Sequence, residues 1–233
     1  IAMHLTTKLG RNPRDIAEQI AEKLREIEEV AEVSVAGPGF INIKMSDKFL
    51  LEQLNNAPAQ TWVGKVVVCE YSDPNPFKVL HAGHLYTSIV GHTIANLFEN
   101  AGAQVHRVNF GGDVGLHVGK TMWAILQDLG GEDLTKLSSI AKDDRSEWMA
   151  SCYVKGTQAY EENKQANQEI IALNKKVYEI VNTNDRDSAF AQIYWTTRGW
   201  SYDYFDNFYA RIGTPFEKYY PESSVAELGL KTV

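Results

Sequence analysis

Two periods of apolar residues organise this chain. After Asn12-Pro13, Ile16, Ile20, Leu24 and Ile27 return at helical spacing, with Glu18, Glu22, Lys23 and Arg25 on other faces. That spacing predicts a helix, with Asn12 as its cap and proline in its first turn. Val33 and Val35, then Ile41, Ile43 and Met45, alternate with polar or small residues around Gly37-Pro38-Gly39, which predicts two strands joined by a turn. Ser46-Asp47 caps a further helix carrying Phe49, Leu50, Leu51 and Leu54. Asn55 to Gln60, with Pro58, reads as a linker.

Beyond it the pattern changes. Lys65-Val66-Val67-Val68-Cys69-Glu70 is a continuous β-branched run, the mark of a strand buried on both faces of a parallel sheet. A loop follows, then Leu85, Ile89, Ile94, Leu97 and Phe98 at helical spacing, ending at Gly102, a natural C′ residue. Gln104 to Phe110 is a second strand. Strand, loop, helix and strand in this order make a βαβ unit, so the expected fold class is α/β with a doubly wound sheet. Past Gly130 the pattern turns helical, with one long exposed helix expected over Tyr160 to Val181. The aromatics between Phe190 and Tyr209 are expected in the core rather than as a stacking surface, and Glu217 to Tyr220 begins a further strand.

Composition narrows the class only slightly. Hydrophobic content of 44% and charged content of 23% are those of an ordinary globular protein, and no apolar run approaches the ~20 residues of a membrane span. A net charge of −7 neither advertises nor excludes nucleic acid, because a local basic strip decides phosphate contact. Cys69 and Cys152 make no disulfide framework and no four-cysteine zinc site. No basic-then-apolar leader opens the chain, so cytoplasm is the expected compartment. A start on Ile1 and a stop at Val233 without a polar tail suggest a fragment of something longer.

The candidate chemistry sits in "DPNPFKVLHAGH", residues 73–84, between the first strand of the larger segment and its helix. Open α/β sheets bind ligands at that place, and the helix N-terminus offers free N–H groups to phosphate. His81 and His84, three apart, straddle the terminus so that both imidazoles face one anion. Gly83 leaves room for a flat ring, Pro74 and Pro76 stiffen the approach, and Lys78 adds a cation. Such a site fits ATP phosphates and the charge that grows on an α-phosphate under attack.

These residues also carry a resemblance. His81-Ala82-Gly83-His84 is similar to the His-x-Gly-His signature of class I aminoacyl-tRNA synthetases, and "SDPNPFKVLHAGHL" to the form typical of arginyl-tRNA synthetases. "NFGGDVGLHVG" at 109–119, "AGPGFINI" at 36–43 and the late "FYARIGTPFEKYYPES" resemble further segments of that family, in its order. The resemblance implies an N-terminal tRNA-elbow-binding domain over 1–58, incomplete, and a truncated Rossmann-type catalytic domain over 59–233 with a helical insertion at about 133–212. It implies catalytic roles for Lys78, His81 and His84, with ATP bound by Pro74, His81, Gly83 and His84. Arginine's α-amino end falls to Glu70 and Asn75, with Asp73 beside them, and Asn109 and Asp113 become contacts for ATP or the tRNA end.

The implied reaction is activation of arginine by ATP, with Mg2+ accompanying it, and ligation to the 3′ end of tRNA-Arg by positioning and electrostatics. A monomer, no membrane and no structural metal are implied. The second family signature and the guanidinium pocket are expected beyond Val233, and this piece is expected to be inactive alone. Tyr86, His92, Val114, His117 and Asp73 stand where the family has other residues. "KMSDK" at 44–48 and "KLSS" at 136–139 look like the second signature but lie in the wrong places, and read as ordinary surface turns. His92 and His106 read as helix and strand fillers. Two other readings stay open: another His-x-Gly-His nucleotidyltransferase, and a degenerate relative that binds tRNA or a partner without activity.

Overall fold

The computed structural model describes residues 1–55 and 59–232, so half of the expected linker, 56–58, lies outside the described residues. The chain divides into two compact units, Ile1–Ala59 and Gln60–Val233. In the first, helices α1 (Ala2–Leu9) and α2 (Pro13–Leu24) precede strands β1 (Val30–Ala36) and β2 (Phe40–Met45) and helix α3 (Asp47–Asn55). The strands pair antiparallel, Val33 opposite Ile43. Asn12 caps α2 by accepting from Arg14 N at 2.9 Å, and Ser46 Oγ accepts from Phe49 N at the start of α3. The helix α2 stops at Leu24, so Ile27 lies beyond it. Helix α1 carries no periodic signal strong enough to have been foreseen, yet it buries Ala2 with Ile16 and Ala17, and Leu5, Ile20, Val35 and Ile41 pack on them. Gly39 has φ +130, and a Cβ there would lie 2.8 Å from Pro13 O, so this turn needs glycine.

The second unit opens with β3 (Val66–Glu70), α4 (Ala82–Asn100) and β4 (Gln104–Gly111). Five helices follow: α5 (Leu116–Leu129), α6 (Leu134–Ser139), α7 (Arg145–Glu162), α8 (Lys164–Asn182) and α9 (Ala189–Ile212). Strand β5 (Lys218–Pro221) and helix α10 (Glu222–Thr232) complete it. The sheet runs β3-β4-β5, all parallel, with Val67 opposite Val105 and Val108 opposite Lys218. Among the described residues no helix is long and apolar enough to cross a membrane.

Three expectations are corrected here. Strand β3 is not buried on both faces: Val66 is 64% and Val68 65% exposed. Helix α4 covers only the face of Val67, Cys69 and Tyr71, where a side chain on Gly91 would run into the Tyr71 ring. Nor does α4 pack through its large apolar residues. Its buried positions are Ser88 and Ala95, which with Gly91 make a line of small residues, while Ile89, Ile94 and Leu97 are exposed. Close approach to Tyr71 selects small residues on the contact face. Finally, the long helix over 160–181 is two helices, broken at Asn163, whose side chain caps α8 by accepting from Gln165 N and Ala166 N. Helix α8 buries Ala166, Ile170, Val177 and Ile180, so it is not a solvated rod.

The larger core lies among the helices rather than under the sheet. Val118, Met122 and Ile125 of α5 meet Cys152 of α7, Val177 of α8 and Phe190, Ile193 and Tyr194 of α9. Phe190 and Tyr194 of α9 are therefore core, as the spacing predicts, and Phe205 and Tyr209 are buried too, while Trp195, Trp200, Tyr202, Tyr204 and Phe208 are only partly covered. Phe77, from the loop after β3, stacks on Tyr194 at 5.5 Å and joins the same cluster, which anchors that loop to the helices.

Candidate functional site

The loop between β3 and α4 has a costly shape. Ser72, Asp73 and Phe77 all take positive φ (73°, 49° and 66°), a region unfavourable for side chains with a Cβ. Neighbours hold it there. Asp73 Oδ1 accepts from Phe110 N at 2.8 Å, Asn75 Oδ1 from Gly112 N at 2.9 Å, and Ser201 Oγ from Phe77 N at 3.0 Å. Thr121 Oγ1 donates to Phe77 O. Pro74 and Pro76 are buried, so they act as packing that stiffens the loop, and Pro74 offers no open surface to a ligand.

His81 is the N-cap of α4. Its Nδ1 accepts from Gly83 N at 3.1 Å, and His84 Nδ1 accepts from His81 N at 3.2 Å. The rings lie 4.0 Å apart. A nitrogen that accepts from an N–H carries no proton, so both neutral rings hold theirs on Nε2. No described residue bonds either Nε2, and both N–H groups are left to donate beside a helix N-terminus, an arrangement that binds an anion. Burial, then the neighbouring His81 and Lys78, pushes the His84 pKa below its usual value, so His84 is a neutral donor at pH 7. Gly83 plays a different part from the one expected. A Cβ there would lie 2.8 Å from His81 Cε1 and 2.9 Å from Nδ1, so the flat ring over its backbone is His81's own.

Lys78 lies 5.4 Å from the centroid of the Tyr153 ring and pairs with no described carboxylate. Its charge depresses both His84 and His117, which places it within electrostatic reach of both. His117 is lowered chiefly by burial, and its Nε2 lies 2.9 Å from Gly112 O. Glu70 ends β3 in an open cleft of about 420 Å3 lined also by Val68, Val108, Phe110, Tyr220 and Val225. Burial raises the Asp73 carboxyl; the Phe110 N–H opposes that rise and Glu70 adds to it. Asp73 is thus first a brace on β4.

Asn109 and Asp113, expected to touch a ligand, are internal ties in this arrangement. Asn109 Nδ2 donates to Tyr71 O at 3.0 Å and to Tyr209 OH at 3.3 Å. Tyr209 OH lies 2.8 Å from Ser72 Oγ, and Ser88 Oγ lies 2.8 Å from Ser72 Oγ and 2.6 Å from His84 O. The amide at one end only donates and the carbonyl at the other only accepts. Ser88 Oγ donates to His84 O and also faces Ser72 Oγ as donor, so the three hydroxyls of Tyr209, Ser72 and Ser88 link Asn109 to the first turn of α4. Asn109 thereby steadies the first turn of α4. Asp113 is 0% exposed and accepts from Ser223 N, Ser223 Oγ and Arg198 Nε at 2.8, 2.6 and 2.7 Å.

One residue escaped the sequence reading. Glu222, first in α10, converges with Asn75 on Gly112: a Cβ at Gly112 would lie 2.8 Å from Asn75 Oδ1 and 3.1 Å from Glu222 Oε2. Burial and then Asp113 raise the Glu222 carboxyl pKa. No described residue bonds Asn75 Nδ2, so an unengaged amide donor and a carboxylate both lie beside Gly112. The Glu-Ser pair at a strand's end was the available signal, masked by its reading as part of a longer match. Neither decoy is the turn that was expected: Lys44 and Met45 end β2 and Asp47 opens α3, while 136–139 lie within α6, where Lys136 donates to Leu129 O. His92 sits in α4, and His106 in β4 lies 2.7 Å from Glu217. No cluster of three His, Cys, Asp or Glu residues placed to hold a metal ion occurs among the described residues.

With this geometry established, similarity to known proteins is informative. The family described as "tRNA synthetases class I (R), catalytic domain" matches residues 47–229, and "Arginyl tRNA synthetase N terminal domain" matches residues 1–45. The chain is 34% identical over 184 residues to an arginine–tRNA ligase of Nostoc sp., covering 74% of this chain and 30% of that protein. It is 38% identical over 135 residues to an arginine–tRNA ligase of Shewanella baltica, covering 55% of this chain and 23% of that protein. The fold is similar to that of a Thermus thermophilus arginyl-tRNA synthetase, with TM-score 0.53 and 23% identity over 99% of this chain and 36% of that one. A Plasmodium falciparum arginyl-tRNA synthetase gives 0.51 and 24% identity over 99% and 40%. The chain thus spans about a third of the relatives it matches.

Proposed function

Since the chain belongs to the class I arginyl-tRNA synthetases, we propose that it supplies the ATP corner and part of the arginine pocket of an enzyme that activates arginine and ligates it to tRNA-Arg. The observation that carries this reading is the pair of imidazoles at the start of α4, each with Nδ1 held by a backbone N–H and Nε2–H free to donate. ATP phosphates lie across His81, His84 and the N-terminus of α4, with Lys78 as the mobile cation. Arginine's α-amino group goes to Glu70, beside Asp73, and its carboxylate to Asn75 Nδ2. Glu222 serves as a further acid for the substrate's positive charge.

In the reaction, an oxygen of the arginine carboxylate attacks the α-phosphorus, the bond to the β-phosphate oxygen breaks, and pyrophosphate leaves with the electron pair. The imidazole donors neutralise charge on the α-phosphate as it grows. The 2′-hydroxyl of the terminal tRNA adenosine then attacks the carbonyl carbon, the bond from that carbon to the phosphate oxygen breaks, and AMP leaves with the electron pair and takes up the hydroxyl proton. No side chain forms a covalent intermediate. The corner offers N–H donors and an ammonium, while Asp73 spends an oxygen on Phe110 N, so Mg2+ fits as a companion of the ATP phosphates rather than as a resident of the protein. A monomer in the cytoplasm belongs to the same reading. Titration calorimetry with ATP tests it: His84→Ala should weaken binding markedly, and unchanged affinity would remove the phosphate role of this corner.

A further inference from the structure

We propose that Asp113 is a positioning residue whose buried carboxylate sets Glu222 in place, by holding the first turn of α10 and helix α9 to one point of the glycine loop after β4. The proposal rests on the reading above for the role of Glu222 toward arginine, while the positioning itself stands on geometry alone.

Asp113 lies between the strand end Gly111 and the start of α5, yet its partners come from far along the chain. Ser223 N donates to Oδ1 at 2.8 Å, and Ser223 Oγ and Arg198 Nε donate to Oδ2 at 2.6 and 2.7 Å. Tyr194 OH donates to the Asp113 backbone carbonyl at 2.8 Å, and the Arg198 guanidinium lies against the Trp195 and Tyr202 rings at 5.2 and 4.9 Å. The first N–H groups of a helix have no partner within it, and Asp113 satisfies one of those of α10 from outside. Glu222, the residue before Ser223, is thereby fixed beside Asn75 and Gly112.

The donor set requires a carboxylate. Both oxygens face groups that only donate, Ser223 N on one side and Arg198 Nε on the other. An amide would turn its NH2 toward one of them in either orientation. The same carboxylate therefore ties the helical insertion to the acid of the pocket. The polar and charged groups facing Glu222 are Asp113, Tyr178 of α8, whose pKa burial and then Glu222 raise, and the amide of Asn75.

The test uses the whole 233-residue chain, with carbon-detected NMR titration of the Glu222 carboxyl and amide exchange along α10, on Asp113→Asn and Ser223→Ala. The expected result in Asp113→Asn is α10 amides exchanging about tenfold faster while α5 and α8 keep their protection, and in Ser223→Ala, which leaves the Asp113 charge in place, a Glu222 pKa that falls toward the ordinary carboxylate value. An unchanged Glu222 pKa with unchanged α10 exchange overturns the proposal. So does uniform loss of protection everywhere, which would make Asp113 a general brace. Should Asp113→Asn fail to fold, Ser223→Ala decides: it removes the hydroxyl donor while the Ser223 N–H and Arg198 bonds to Asp113 remain, so a smaller rise in α10 exchange supports the proposal and unchanged exchange overturns it. Arginine titration is the separate arm. If the unaltered chain ignores arginine, the substrate reading fails while the NMR result still judges the positioning.

Discussion

Replacing Gly83 by alanine separates the function of the α4 terminus from its stability. The new methyl would lie 2.8 Å from His81 Cε1 and 2.9 Å from Nδ1, inside contact distance. The His81 ring is exposed, so it swings outward and the backbone stays. That motion breaks the bond from Gly83 N to Nδ1, a capping interaction worth about 1 kcal/mol. Alanine's better helix propensity returns up to about 1 kcal/mol. The two offset, and the Tm should move by less than about 2 °C for a domain of this size. Binding has no such compensation. His81 loses its place beside His84, and one hydrogen bond to a charged phosphate, worth about 1.5–3 kcal/mol, goes with it. ATP affinity should fall about 10- to 150-fold in titration calorimetry while the thermal melt stays in place. Affinity within twofold of the unaltered chain, or a large fall in Tm with affinity intact, would refute the reasoning.

Other outcomes follow from buried groups and close contacts. The Asp73 carboxyl is raised above 3.8, so its ionisation works against folding, and stability is lost as pH rises from 3.8 through the raised value. Asp73→Asn keeps an acceptor for Phe110 N and should melt higher at pH 7, with the gap narrowing as pH is lowered toward 3.8; a gap independent of pH would contradict this. The Cys152 thiol is buried and pushed up to about 12, chiefly by burial, whereas Cys69 is only half-buried. A thiol reagent at pH 8 should therefore modify Cys69 in the folded chain and reach Cys152 only on unfolding, and equal rates would argue against the helical core. A side chain at Gly156 would collide with the Lys120 carbonyl where α7 crosses α5. Gly156→Ala should cost about 1–3 kcal/mol through overpacking, read as a lower Tm; an unchanged melt would mean the crossing is wider than described.

Much of this arrangement is legible in the residues. Val66 to Glu70, Gly102 and the alternation after it are enough to place β3, α4 and β4, and Asn12 and Ser46 mark two helix starts. Periodicity says which residues share a face but not whether anything covers it, which is why Val66 and Val68 looked buried. The break at Asn163 was hidden because asparagine inside a polar run has no apolar phase to interrupt. The roles of Asn109 and Asp113 were out of reach for another reason. Glycines around them suggested an open loop, while the partners that close it, Arg198, Tyr209 and Ser223, lie 85 to 110 residues away in sequence. Resemblance, rather than spacing, pointed to Glu70 and Asn75 as the residues proposed to face arginine, and Glu222 came from three-dimensional convergence alone.

The backward-twisted residues Ser72, Asp73 and Phe77 have a consequence for engineering. A segment that does not favour its own contour borrows it from what surrounds it, and one lender here is Ser201, far off in the helical insertion. Trimming those helices would therefore let the loop between β3 and α4 relax out of shape, although Ser201 lies more than a hundred residues away in sequence.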